Sequence, residues 1–108
     1  MATDALLVLC TCPDVESAQR IAHQLVASRL AACVNLLPGL TSVYRWDDAV
    51  QTAEETLLLV KTGRACYAAL EETLRAIHPY ELPEIVALPV EQGLAGYLDW
   101  IRQCTNLS

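Results

Sequence analysis

Apolar residues run unbroken from Ala5 to Cys10, a stretch too short for a helix and suited to a buried central strand. Thr11-Cys12-Pro13-Asp14 ends it. Asp14 is a good helix N-cap, and Glu16 falls in the first turn, at the positive end of the helix dipole. Beyond them Ala18, Ile21, Ala22, Leu25 and Val26 recur at helical spacing, while Gln19, Arg20, His23 and Gln24 fall elsewhere around the cylinder. The spacing predicts an amphipathic helix to about Arg29. Leu30 opens a second extended segment to Leu37, interrupted by Pro38-Gly39 and resumed from Leu40 to Trp46. A proline cannot sit in a fully paired central strand, so this pair marks a bulge, a bend or an edge. Asp47-Asp48 reads as a hairpin turn without glycine, because aspartate tolerates left-handed backbone. A third extended segment follows from Val50 to about Lys61, and its end, Leu57 to Val60, is apolar on both faces and therefore buried.

Tyr67, Leu70, Leu74 and Ile77 predict a second helix from about Gly63 to Ile77, with Glu71, Glu72 and Arg75 on its wet side. Ile85 to Val90 reads as a fourth strand. Leu94, Tyr97, Leu98 and Ile101 mark a short terminal helix, weakened by Gly96. The order is β-α-β-β-α-β plus a tail helix. Strands joined through helices run parallel and the middle hairpin antiparallel, which together make an α+β, ferredoxin-like split β-α-β sandwich. That fold hosts many unrelated functions, so the role has to come from particular residues.

Two stretches depart from this ordinary pattern. Each arm of the central hairpin holds a dozen or more residues, roughly 40 Å at ~3.3 Å per residue. A compact domain of this size is only some 35 Å across, given a radius of gyration near 13 Å. The hairpin must bend at Pro38-Gly39 or reach onto a neighbouring subunit. Its apolar tip (Val43, Tyr44, Trp46 and Val50) favours the neighbour. The other stretch is His78-Pro79-Tyr80-Glu81-Leu82-Pro83-Glu84. Two prolines fix its backbone, and His78 and Leu82, each preceding a proline, are pushed to extended conformations. An imidazole, a phenol and two carboxylates are packed into this rigid link. They are costly to hold there unless solvated, paired or bound to something. They read either as solvated groups on a connector or as a small preformed polar site.

Composition narrows the choice. The 108 residues fit one domain spanning residues 1–108. The hydrophobic share is 54%, above the usual roughly 45–50%, yet no apolar run approaches the ~18 residues of a membrane span. Surplus apolar surface of this kind points to subunit contacts. Net charge is −6, and the seven basic residues form no cluster, which argues against nucleic acid and anionic membranes. Residues 1–14 lack a basic leader, and five cysteines do not suggest a disulfide framework, so the expected compartment is the cytoplasm.

Chemistry has few places to reside. Cys10 and Cys12 fall on one face of a strand, where His78 could join them as a third ligand for a soft metal if the second helix returns it to the strand end. A lone C-x-C is half a zinc motif, and buried cysteines are also ordinary core residues, as Cys33, Cys66 and Cys104 are expected to be. A Cys10–His78 nucleophilic pair lacks an orienting third group. Glu81 and Glu84 read equally as an acid/base pair or as rim carboxylates. The scattered glycines make no phosphate cradle.

Thr11-Cys12-Pro13-Asp14, Leu30-Ala31-Ala32-Cys33-Val34-Asn35, Pro38-Gly39, Ser42-x-Tyr44-x-Trp46, Lys61-Thr62, His78-Pro79-Tyr80-Glu81, Pro83-Glu84-Ile85, Leu88-Pro89-Val90 and Tyr97-Leu98-x-Trp100 occur in that order over nearly the whole chain. In this it resembles the CutA divalent-cation tolerance proteins. The resemblance implies a tight homotrimer in which hairpins crossing between subunits put Tyr44 and Trp46 at the interface. It also implies a cytoplasmic, non-enzymatic protein that binds copper or another divalent metal. Of the family's metal ligands, the strand-end cysteine falls on Cys10 and one histidine on His78; the other histidine position is Ile77. The trimer resembles PII-type signalling proteins, which implies as an alternative a small-molecule sensor with ligands in inter-subunit clefts. The expected cleft contains Cys10, His78 and Glu81, shaped by Tyr80 and Glu84, with Cys12 as a substitute ligand. An acid-lined cleft without thiol access would favour the sensor.

Overall fold

In the computed structural model, which describes residues 3–105, the elements are β1 (Ala5–Cys12), α1 (Val15–Ala27), β2 (Cys33–Trp46), β3 (Ala49–Gly63), α2 (Tyr67–Ile77), β4 (Val86–Pro89) and α3 (Ala95–Cys104). A 3-10 turn, Arg64–Cys66, leads into α2. The sheet order is β2-β3-β1-β4, and every neighbouring pair is antiparallel. Strands joined through a helix do run in the same direction, but they are not neighbours. β3 lies between β1 and β2, and β1 lies between β3 and β4. The α+β split β-α-β arrangement is therefore present, built wholly from antiparallel ladders.

Local signals explain most boundaries. Asp14 is extended, at φ −154°, and its Oδ1 accepts from the Ser17 amide at 2.7 Å, capping α1. The helix stops at Ala27, two residues before the expected Arg29, because Arg29 itself turns left-handed at φ 65°. Leu30 and Ala31 do not open a strand as expected. Their amides both bond back to the carbonyl of Leu25, so they close the helix and cannot enter a ladder. Asp47 and Asp48 both take positive φ, 51° and 61°, forming the two-residue turn between paired Trp46 and Ala49. Pro38-Gly39 sits in a register shift between Leu37 and Leu40, on an edge strand where a missing amide is tolerated.

Leu6, Val8, Cys10, Leu58 and Val60 point from the sheet into the layer of α1 and α2, where they meet Ile21, Leu25, Leu70 and Leu74. The opposite face carries Leu7, Leu9, Leu57 and Leu59, all half-buried, with Val86 and Leu88 about half exposed at 48% and 49%. Ile101 of α3 packs with Ala5 and Ala32 at one end of the molecule. The molecule measures 44 × 27 × 22 Å, its radius of gyration of 14.3 Å exceeding the near 13 Å of a compact chain this size.

Candidate metal centre

Period-two alternation puts Cys10 and Cys12 on the helix-covered face at the end of β1, and neither exposes any surface. α2 delivers His78 to the same place. Its amide still bonds the Leu74 carbonyl at 2.9 Å, but its backbone is already extended at φ −74°, ψ 138°, as Pro79 requires. The imidazole turns back over the strand end. Nε2 lies 2.8 Å from the Thr11 carbonyl oxygen and 3.9 Å from the Cys12 Sγ. The two sulfurs and the imidazole nitrogen all fall within 4.8 Å of one another.

The hydrogen-bond partners assign the imidazole tautomer. The Tyr80 amide donates to Nδ1 at 3.0 Å, so Nδ1 is bare. A carbonyl only accepts, so Nε2 carries the proton and donates it to Thr11. Burial holds the His78 pKa below its ordinary value, against the opposing pull of the Thr11 carbonyl and Glu55. The ring is thus neutral at physiological pH, with both nitrogens occupied. The adjoining Cys12 thiol, then burial, then the charges of Cys12, Glu84 and Glu55 push Cys10 far up. Cys12 is drawn below its ordinary value by the neighbouring Cys10 thiol, against burial.

Beside the cluster opens a cleft of about 660 Å³, walled by Tyr44 and Trp46 of β2, Glu55 of β3, and Tyr80, Glu81 and Glu84 of the link. Neither Cys10, Cys12 nor His78 is among its walls. Cys10 and Cys12 face the helix layer, whereas Thr11 between them reaches the cleft. Glu55 is the residue that the pattern of hydrophobic positions does not reveal. It is only 8% exposed, and Oε2 accepts from the Tyr80 hydroxyl at 2.8 Å. By alternation Glu55 shares the sheet face of Leu57 and Leu59, away from α1 and α2, and it is buried there beside Tyr80, a tertiary contact that consecutive acids at Glu54-Glu55 do not signal.

As a metal site the donors are chemically suited. An ion about 2.3 Å from sulfur and about 2.0 Å from nitrogen keeps those donors roughly 3.5–3.7 Å apart, near the observed 3.9 Å. Thiolate and imidazole suit copper and zinc.

A family model described as CutA1 divalent ion tolerance protein matches residues 6–104. The chain belongs to the CutA1 family. It is 54% identical over 100 residues to the divalent-cation tolerance protein CutA of Thermus thermophilus, covering 93% of this chain and 97% of that protein. It is 47% identical over 96 residues to human protein CutA, covering 89% of this chain but only 54% of that longer protein. The crystal structure of CutA from Xylella fastidiosa superposes with a TM-score of 0.94 at 45% identity, over 96% of this chain and 100% of that one. The Thermus thermophilus relative is named as a tolerance protein and not as an enzyme. No helix among the described residues is long and apolar enough to cross a membrane.

Proposed function

We propose that this CutA1-family chain binds a soft, copper-type metal ion through Cys10, Cys12 and His78, and serves divalent-cation tolerance by holding it. The observation that carries the reading is the convergence of two sulfurs and an imidazole nitrogen within 4.8 Å. Among the described residues no further cysteine, histidine or carboxylate joins them. Three donors favour copper over zinc, whose structural sites take four. Cys12 stands in for the imidazole that Ile77 lacks. The bound ion would be a Lewis acid sealed from water, which suits retention better than turnover; the chain is proposed to be a binding protein and not an enzyme. Five free thiols fit the reducing cytoplasm. The partly exposed apolar sheet face and the aromatic hairpin tip support a homotrimer.

The test is an anaerobic Cu(I) titration against a competing chelator, repeated with Zn(II), on wild type, Cys10→Ser, Cys12→Ser and His78→Ala. We expect each substitution to weaken copper at least tenfold. Equal affinity in all four proteins rejects the site. A second reading, a small-molecule sensor, is favoured by the acid- and aromatic-lined cleft, which no thiol enters. In the trimer this cleft would lie against a neighbouring subunit.

A further inference from the structure

The thiol cluster and the cleft are separate volumes, yet one ring belongs to both. His78 presents Nε2 to Cys12 and Thr11, and Nδ1 to the backbone of Tyr80. Tyr80 in turn packs its ring 5.0 Å from the imidazole and floors the cleft through its bond to Glu55. A neutral imidazole has one proton to place. While it sits on Nε2, that nitrogen has no lone pair for a metal, and Nδ1 is free to accept from Tyr80. If Nε2 becomes a ligand, the proton must move to Nδ1. A protonated Nδ1 then faces the Tyr80 amide, and two donors cannot share a hydrogen bond.

Resting on the soft-metal reading above, we infer that His78 is a tautomer switch coupling the thiol cluster to the cleft. Loading of the cluster through Nε2 expels the Tyr80 amide from the ring and shifts the 78–84 link. The balance is simple. The ring keeps one proton, given up at Nε2 and taken up at Nδ1, and any protons released come from the Cys10 and Cys12 thiols. The Thr11 carbonyl loses its donor and the Tyr80 amide its acceptor. The rigid prolines convert this local exchange into displacement of the whole segment, because Pro79 and Pro83 leave it little freedom to absorb the change. Tyr80, Glu81 and Glu84 move with it, and these residues form one wall of the cleft. Coupling of this kind is reciprocal. A ligand that holds Tyr80 in place in the cleft opposes loading of the cluster, and loading alters the cleft.

The full chain labelled with ¹⁵N-histidine and ¹⁵N-tyrosine tests this directly, with Cu(I) added anaerobically. His23, exposed on α1, serves as the internal reference. Thiolate-to-copper absorption reports loading, ring ¹⁵N shifts report which nitrogen carries the proton, and the Tyr80 amide shift reports the link. The expected result is that absorption appears together with a transfer of the His78 proton from Nε2 to Nδ1 and displacement of the Tyr80 amide signal. Absorption with Nε2 still protonated and the Tyr80 amide unmoved overturns the switch and leaves the metal reading standing on the thiols alone. No absorption overturns both. A second arm uses Tyr80→Pro, which removes the amide donor, against Tyr80→Ala, which keeps it while losing the same ring and hydroxyl. Releasing Nδ1 from one neutral hydrogen bond should tighten Cu(I) binding by roughly five- to tenfold in Tyr80→Pro relative to Tyr80→Ala. Equal affinity in the two variants overturns the switch.

Discussion

The hydroxyl of Tyr80 donates to Oε2 of Glu55 at 2.8 Å, joining the polar link to the long hairpin across 25 residues of sequence. Glu55 has little access to water, so this donor replaces solvation that folding removes. The bond and burial together also push the Tyr80 pKa well up, burial contributing most. We expect Tyr80→Phe to cost about 1–3 kcal/mol, because it leaves a buried acceptor without its donor. Adding Glu55→Ala to that variant should cost less than Glu55→Ala does alone. Urea unfolding of the two single variants and the double variant measures the coupling. A coupling indistinguishable from zero means that the bond contributes nothing.

Much of the fold was legible because the chain separates its periods cleanly. Ala18, Ile21, Ala22 and Leu25 repeat at helical spacing and all face the core, and the continuous run from Ala5 to Cys10 is a central strand. The proline pairs marked their own boundaries, through a lost amide at Pro38 and an enforced extended His78. Leu30 and Ala31 misled because they are apolar like a strand, and only their amides show that they end a helix. Sheet order was not legible, since direction follows from the connections but lateral position depends on packing. At the site, the shared face of Cys10 and Cys12 followed from alternation. That their side chains sit behind the cleft wall depends on how the link folds back, which is tertiary.

Leu70 and Leu74 hold α2, and with it His78, against the sheet, and neither exposes any surface. Leu70→Ala deletes buried methyl groups and leaves a cavity, at a cost of about 2–5 kcal/mol. Val26→Ala, on the exposed side of α1, should cost far less. Thermal unfolding compares them. Equal shifts would mean that Leu70 is not at the centre of the packing.

Asp14 caps α1 while exposed, and its hydrogen bonds from the Ser17 hydroxyl and amide hold its pKa below the ordinary value of 3.8. A carboxyl with a depressed folded pKa stabilises above the unfolded value, and that contribution is lost as pH falls through the folded one. Asp14→Ala should therefore unfold at a lower temperature than wild type at neutral pH. The gap should narrow as pH drops below 3.8. Asp14→Asn keeps a good cap without the titration, so its own melting temperature should show no such acid-dependent loss from this position. A gap for Asp14→Ala that stays constant with pH contradicts the charge argument.

The hairpin tip bears on assembly. Val43 and Val50 are 68% and 67% exposed, and Tyr44 and Trp46 are 44% and 52% exposed, on an arm that extends beyond the core. Val86 and Leu88, about half exposed on the sheet face that carries the half-buried Leu7, Leu9, Leu57 and Leu59, add to the apolar surface left in water. A stable interface buries about 800 Å² per partner, and a sheet face plus a hairpin tip can provide that. Under the proposed homotrimer, light scattering should give three times the chain mass of 11.8 kDa. Trp46→Asp puts an unpaired charge into the contact, where desolvation penalises it strongly, and should lower both the assembled fraction and the melting temperature. Asp48→Asn is the matched control, because asparagine accepts the left-handed backbone seen at φ 61° and leaves the apolar surface intact. A wild-type mass of one chain at micromolar concentration ends the trimer proposal. A Trp46→Asp variant that assembles as fully as Asp48→Asn removes the tip from the interface and leaves the sheet face as its only support.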